Sequence, residues 1–146
     1  MKKIYLAAPL FSVFERNINV YIANEIEKTQ KYNVFLPQKI SPIKEQDIYN
    51  MKPIYDGCKD NIINSDIVLA IVDGSDVDSG VAWELGYAFA CNIPTLCIRT
   101  DIRKSEGNGV NIMIEYSATK TIYLTKYNQT VNMLIEKIIA ELEEFK

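Results

Sequence analysis

The sequence predicts an α/β fold in which a central, mostly parallel five-stranded sheet is covered by helices on both faces. Short apolar runs alternate with helix-like segments along the whole chain, which is the pattern of βαβ units. The run over residues 67–72 is continuous and rich in β-branched side chains, as in a parallel strand buried on both faces. The 146 residues suit one hydrophobic core, and no linker, repeat or low-complexity segment divides them. We therefore expect a single domain over residues 1–146.

Each predicted element follows from local spacing and turn residues. The five predicted strands cover residues 3–8, 33–36, 67–72, 95–100 and 120–124. The four predicted helices cover residues 15–31, 54–64, 79–92 and 130–145. The polar segment 38–52 is expected to be a loop or a short broken helix, and residues 101–109 a loop.

The composition argues against several classes of function. The chain has 16 basic and 19 acidic residues, whereas nucleic-acid-binding domains usually carry a basic excess. Its longest apolar run is far shorter than the roughly 20 residues that a membrane helix needs. The N-terminus opens directly on a strand-like run, with no signal-peptide pattern. We expect a cytoplasmic protein whose partners are neither nucleic acid nor membrane.

The residue types available limit the chemistry. Because histidine is absent, Ser-His and Cys-His nucleophile pairs and histidine-ligated metals are excluded. Phosphate-binding glycine motifs are also absent, and the window 73–84 fails as a calcium loop because Val77 and Asp78 occupy positions that need a ligand and a glycine. The cysteines form no CxxC pair and are expected to be buried thiols: Cys58, Cys91 and Cys97. Neither a metal nor an organic cofactor is expected.

The segment after the central strand is the strongest candidate site, because ligands bind at the carboxyl ends of strands in such sheets. The ends of the first and fourth strands, at Ala8 and Thr100, are the other places where this rule predicts a site. Glu84 lies early in a predicted helix, where the helix dipole favours an ionised carboxylate and the small Gly80 leaves room for a substrate. With Asp78 on the preceding turn, it forms a carboxylate pair of the kind that performs glycosyl transfer or hydrolysis.

Each of these residues also has a purely structural interpretation. Asp78 or Ser79 would serve as a helix N-cap, and Glu84 would lie solvated on an outer face. Tyr5 is either a half-buried core tyrosine or a hydroxyl directed towards Glu84, beside the small Ala8.

The region after the fourth strand gives weaker signals. Asn111 and Met113 have no distinctive spacing and are expected to be loop and core residues. Arg99 and Arg103 flank Asp101, which predicts a surface ion pair.

Four segments, in order between about residues 3 and 115, resemble the nucleoside 2-deoxyribosyltransferases. The similar stretches are YLAAPLF at 5–11, SD at 65–66, DSGVAWELGYA at 78–88 and NIM at 111–113. The resemblance implies a flavodoxin-like (Rossmann-like) three-layer subunit that assembles into a homo-oligomer, either a dimer or a larger assembly. It also implies transfer of 2-deoxyribose between purine or pyrimidine bases, by double displacement with retention.

The resemblance also implies roles for individual residues. Glu84 matches the nucleophile that forms the covalent deoxyribosyl intermediate, Asp78 the acid that helps to protonate the base, and Tyr5 the tyrosine that positions the nucleophile. Asn111 and Met113 match a loop that a neighbouring subunit contributes to the sugar pocket. The remaining residues expected to contact substrate are Ala8, Phe11, Ser79 and Gly80.

One departure from the family pattern keeps other functions open. Cys58 stands where the family often has an aspartate, and a related branch hydrolyses the N-glycosidic bonds of nucleotides. The first alternative is therefore an N-glycoside hydrolase of nucleosides or nucleoside 5′-monophosphates, which would release sugar without an acceptor base. The second is a non-catalytic flavodoxin-like ligand-binding or regulatory module, which would tolerate the loss of the Glu84 carboxylate.

Overall fold

A computed structural model gives the fold of the chain for residues 1–40, 51–104 and 109–145. The strands are β1 (Lys2–Ala7), β2 (Tyr32–Phe35), β3 (Ile67–Ile71), β4 (Thr95–Arg99) and β5 (Lys120–Tyr123). They form one sheet in the order β2-β1-β3-β4-β5, and every neighbouring pair is parallel. The predicted parallel sheet is confirmed, and its order is that of the flavodoxin-like doubly wound fold, with the switch point between β1 and β3.

Helices cover both faces of this sheet. They are α1 (Val13–Glu27), α2 (Lys52–Ile63), α3 (Ser79–Ala90), α4 (Ile112–Ser117) and α5 (Val131–Glu144). One hydrophobic cluster joins the sheet to α1 and α5, and a second joins its opposite face to α2 and α3, which gives the three predicted layers. None of the helices in the described ranges is long and apolar enough to cross a membrane.

The alternation of side chains along β1 places one tyrosine on the same face as α3. Ile4 and Leu6 enter the cluster under α1 and α5, whereas Tyr5 and Ala7 enter the cluster under α2 and α3. Successive side chains of a strand point to opposite faces, so this register follows from the strand geometry alone. It brings the Tyr5 phenol to the helix that carries Glu84.

The segment after β1 is fixed by the start of α1. Ser12 caps the helix: its hydroxyl accepts a hydrogen bond from the Glu15 amide at 3.1 Å, and the Glu15 carboxylate accepts one from the Ser12 amide at 2.7 Å. This capping box starts the helix two residues before the predicted position. The helix also ends earlier than predicted, and Gln30 adopts a left-handed conformation (φ 58°) in the turn towards β2.

The segment between β4 and β5 contains a helix, α4, that the sequence did not predict. Asn111 lies outside regular secondary structure, as expected of a loop residue, and it caps this helix by accepting a hydrogen bond from the Met113 amide at 3.0 Å. The prediction for Met113 is wrong: it is not in the core, because 75% of its surface is exposed. The predicted loops over 38–52 and 101–109 lie partly outside the described residues.

Arg99 is buried, so the prediction that it takes part in a surface ion pair with Asp101 is also wrong. The ion pair between Arg103 and Asp101 does form. Nη1 of Arg99 donates to the carbonyls of Val72 at 2.8 Å and Gly74 at 2.7 Å, and its Nη2 donates to the Arg103 carbonyl at 2.7 Å. The guanidinium therefore ties the end of β4 to the turn after β3.

Candidate active site

A cavity of about 520 Å³ opens at the carboxyl ends of β1, β2 and β3. This volume lies within the usual range for pockets that take small molecules. Its walls come from the segment after β1, the 3₁₀ turn at Pro37–Lys39, the inner side of α2 and the first turns of α3. Of the residues predicted to contact substrate or act on it, this cavity is lined by Ala8, Phe11, Asp78, Gly80 and Glu84.

A short hydrogen bond joins Tyr5 to Glu84 beside the cavity. The phenol donates to Oε1 of Glu84 at 2.5 Å, across 79 positions of sequence. Tyr5 is fully buried, and its ring stacks on Phe35 with the centroids 5.5 Å apart. Tyr5 thus has both of the roles that the sequence left open: its ring packs in the core and its hydroxyl reaches Glu84.

Burial of Glu84 makes its carboxyl group a weaker acid than usual. Desolvation raises its pKa from 4.5 to about 7, and the charge of Asp78 adds to this, while the hydrogen bond from Tyr5 acts in the opposite direction. The sequence-based expectation that the helix dipole favours the ionised form is therefore outweighed. Burial and the Glu84 charge also raise the pKa of Tyr5 far above its ordinary value, so the phenol remains a hydrogen-bond donor.

Asp78 caps α3 and lines the same cavity. Its Oδ1 accepts hydrogen bonds from the amides of Gly80 at 2.9 Å and Val81 at 3.1 Å. The alternative prediction, that Ser79 is the N-cap, is wrong, because Ser79 is the first helical residue. Ser79 is also exposed and does not line the cavity, although it was expected to contact substrate. A Cβ at position 80 would lie 3.0 Å from Oδ1, so glycine there leaves the cap undisturbed.

Cys58 of α2 also lines the cavity and is only half-buried, as is Cys91; the expectation of buried thiols is confirmed for Cys97 alone. Burial and the nearby Glu84 charge raise the pKa of Cys58, which keeps it as a neutral thiol. Asp73, in contrast, serves the fold, because its carboxylate accepts hydrogen bonds from the backbone amides at positions 100 and 101.

Asn111 and Met113 are not brought to this cavity within one chain. Met113 lines a separate groove of about 440 Å³ between α4 and another face of α3, which Gly86 and Phe89 contribute. Three of its apolar side chains are more than half exposed: Phe89, Ile112 and Met113.

Two polar residues of the cavity wall were not identified from the sequence: Arg16 of α1 and Gln38 of the 3₁₀ turn. Both follow the carboxyl end of a strand, β1 and β2 respectively. Gln38 lies just after the carboxyl end of β2, where ligands also bind in such sheets. Arg16 lies about one turn beyond the segment after β1, which the sequence had indicated as a possible site.

Comparisons with known proteins agree with this architecture. The model of the family described as nucleoside 2-deoxyribosyltransferase matches residues 4–113. A conserved protein from Enterococcus faecalis V583 is 24% identical, with 97% of this chain and 99% of that chain covered and a TM-score of 0.77. No curated protein is significantly similar to the chain.

Two further solved structures share the fold. A 2-deoxyribosyltransferase from Bacillus psychrosaccharolyticus is 24% identical, with 90% of this chain and 95% of that chain covered and a TM-score of 0.66. A CMP N-glycosidase from Clostridium botulinum is 16% identical, with 99% and 100% covered and a TM-score of 0.60.

Proposed function

The chain belongs to the nucleoside 2-deoxyribosyltransferase family, and from this premise we propose that it exchanges the bases of 2′-deoxynucleosides through a covalent deoxyribosyl-Glu84 intermediate. The observation that carries the proposal is the hydrogen bond between Tyr5 and Glu84 at the wall of a cavity large enough for a nucleoside. The reaction needs no metal or organic cofactor, and we place it in cytoplasmic salvage of deoxynucleosides.

The proposed first step breaks the glycosidic bond. An oxygen of ionised Glu84 bonds to C1′ of the sugar while the C1′–N bond breaks, and the bonding electron pair leaves with the base. Positive charge develops at C1′ in the transition state, and the adjacent carboxylate stabilises it. A second base then attacks C1′ from the vacated side and displaces Glu84, so two inversions give overall retention.

Tyr5 and Asp78 support this step in different ways. Because the phenol holds Oε1 of Glu84, the other carboxylate oxygen remains available for bonding to C1′. Oδ1 of Asp78 is occupied by two helix amides, whereas Oδ2 accepts no hydrogen bond from the described residues. We assign to Oδ2 the contact with the departing base, to which it passes a proton taken up from solvent.

We further propose that the complete site needs a second subunit. Phe11, at the cavity wall, is 75% exposed, so a single chain leaves part of the cavity open to water. A base can capture the intermediate in preference to water only if the site is dry. The α3–α4 groove exposes an apolar surface that includes Met113, and its burial in a homo-oligomer would carry Asn111 and Met113 towards a neighbouring cavity.

An N-glycoside hydrolase of nucleosides or nucleoside 5′-monophosphates is the second candidate function. Its support is the openness of the cavity at Phe11 and the fold shared with a CMP N-glycosidase. A hydrolase would release sugar or sugar phosphate at a rate that an acceptor base does not change. A transferase would form a new nucleoside at a rate that depends on the acceptor.

The test mixes the protein with 2′-deoxyinosine, with and without cytosine, and follows the products by chromatography. We expect 2′-deoxycytidine to form only when cytosine is present. Without acceptor, the intact protein should gain the mass of one deoxyribosyl group on the peptide that contains Glu84, and the Glu84→Gln variant should gain none. Absence of both transfer and adduct, or a Glu84→Ala variant that behaves as wild type, would refute the proposal.

A further inference from the structure

Arg16 is a cation in the cavity wall, and three of its five N–H donors have no acceptor among the described residues. Its Nη1 donates to the carbonyls of Leu10 at 3.1 Å and Phe11 at 2.8 Å. Among residues 1–40, 51–104 and 109–145 it forms no salt bridge, and its Nε and Nη2 donate no hydrogen bond. The Nε–Nη2 edge of a guanidinium presents two parallel N–H donors, which suits a ligand with two adjacent acceptors.

The surroundings of Arg16 are fixed by a hydrogen-bond network. Nε2 of Gln38 donates to the Arg16 carbonyl at 3.0 Å, and its Oε1 accepts from Nδ2 of Asn19 at 3.1 Å. Asn19 is buried and donates in addition to the Pro9 carbonyl at 2.9 Å. These contacts join α1, the loop after β1 and the 3₁₀ turn, so Arg16 extends from a preorganised wall.

The charges in the cavity indicate which acceptor Arg16 meets. Glu84 and Asp78 line the same cavity, and Arg16 is the one cation among its described lining residues. A phosphate dianion would bring two further negative charges into a half-buried space beside two carboxylates, where repulsion is weakly screened. The carbonyl edge of a neutral base avoids that repulsion and still accepts two hydrogen bonds.

We propose that Arg16 determines base specificity by donating from its Nε–Nη2 edge to O6 and N7 of a 6-oxopurine, so that the site prefers hypoxanthine and guanine to adenine. This inference rests on the proposed function and extends it to the class of base. Adenine presents an N6 amino donor where the 6-oxopurines present an acceptor, so this amino group would face an N–H donor of Arg16 without a hydrogen bond between them.

The same contact assists departure of the base. When Glu84 bonds to C1′ and the C1′–N9 bond breaks, the electron pair on the purine is delocalised towards N7 and O6. The guanidinium stabilises this developing anion and keeps its own protons, and the base takes its proton from Asp78 or solvent. Arg16 therefore acts on the leaving group, and Tyr5 acts on the nucleophile.

The test measures binding of free hypoxanthine and free adenine by calorimetry, which requires no turnover. We expect the wild type to bind hypoxanthine about tenfold or more tightly than adenine. In Arg16→Gln the preference should disappear because hypoxanthine binds more weakly, while the affinity for adenine changes by less than about twofold. Arg16→Lys keeps the charge without the two-donor edge and should also lose most of the preference. Arg103→Gln, an exposed arginine outside the cavity, is the matched control and should bind as wild type.

Several results would overturn the inference. A wild type without base preference contradicts it, and so does an equal loss for both bases in Arg16→Gln and Arg16→Lys, which would show that Arg16 only anchors the loop after β1. In a Glu84→Gln background, a loss confined to 2′-deoxyinosine 5′-monophosphate, with 2′-deoxyinosine binding unchanged, would assign Arg16 to the phosphate instead. Selective hypoxanthine binding without any deoxyribosyl transfer would refute the proposed function and leave this inference standing.

Discussion

The phenol of Tyr5 and the carboxylate of Glu84 meet at 2.5 Å, at the carboxyl-terminal edge of the sheet. Their meeting depends on two independent features of the chain. The period-2 alternation of β1 directs Tyr5 to the face covered by α3, and the cap at Asp78 fixes where α3 begins and hence where Glu84 projects.

The first prediction concerns Tyr5→Phe, which keeps the ring packed on Phe35 and removes only the hydroxyl. A hydrogen bond to a charged group contributes about 1.5–3 kcal/mol, so kcat/KM should fall by roughly 10- to 100-fold. Since the Tyr5 hydrogen bond lowers the pKa of Glu84, its removal should also move the acidic limb of the pH–rate profile to higher pH. A profile of kcat/KM against pH checks both effects, and an unchanged limb would contradict the coupling.

The second prediction links Glu84 to stability. Its pKa is about 7 in the folded protein and near 4.5 in the unfolded chain, so the folded state holds the proton more tightly. Glu84 therefore destabilises the fold progressively as pH rises from about 4.5 to 7, and has no such effect below that range. Glu84→Gln should be more stable than wild type by about 1–2 kcal/mol at pH 8, allowing for partial solvation, and equally stable at pH 4.

Urea unfolding at the two pH values measures this difference, with activity as the second readout. If Glu84 is the nucleophile as proposed, wild-type activity should rise with pH through about 7, because only the ionised carboxylate can attack C1′. If the stability difference between Glu84→Gln and wild type is the same at pH 4 and pH 8, the Glu84 carboxylate does not titrate in this range.

The third prediction separates the two roles of Asp78. Asparagine is as good an N-cap as aspartate, so Asp78→Asn should change the free energy of unfolding by no more than a few tenths of a kcal/mol, whereas Asp78→Ala should lose about 1 kcal/mol. Both variants lack the carboxylate proposed to contact the base, so both should lose most transferase activity. Denaturant melts and initial rates on the same preparations distinguish the roles, and full activity in Asp78→Asn would leave Asp78 with the cap alone.

The sequence predicts the sheet and four of the five helices well because their signals are local: apolar period, capping residues and turn residues. It also identifies Glu84, Asp78 and Tyr5 as candidates, since a carboxylate in an apolar helix is unusual and the family resemblance covers these positions. Local patterns do not report burial of a long polar side chain. Arg99 illustrates this, because its guanidinium meets three carbonyls, two of them from the turn after β3, and these come together only in the folded sheet.

Local sequence patterns also fail to predict part of the cavity wall. Arg16 and Gln38 lie 22 residues apart, and their hydrogen bond depends on β1 and β2 pairing in the observed register. From its side-chain type alone, Met113 is predicted to lie in the core. In the structure it lies at an exposed position of the short helix α4. The proposed contact with a partner's cavity would account for an apolar side chain at this exposed position.

The fourth prediction tests that last point. Met113→Glu places a charge in the apolar α3–α4 groove, and it should convert an oligomer into monomers because an unpaired charge at a buried interface is strongly unfavourable. Since Met113 does not line the cavity of its own chain, loss of activity together with dissociation would indicate a site completed by a partner. Sedimentation velocity and initial rates measure the two effects. Tyr127→Glu is the control, because Tyr127 is 92% exposed and lies outside the groove, and it should leave both unchanged. A wild type that is an active monomer would contradict the shared site.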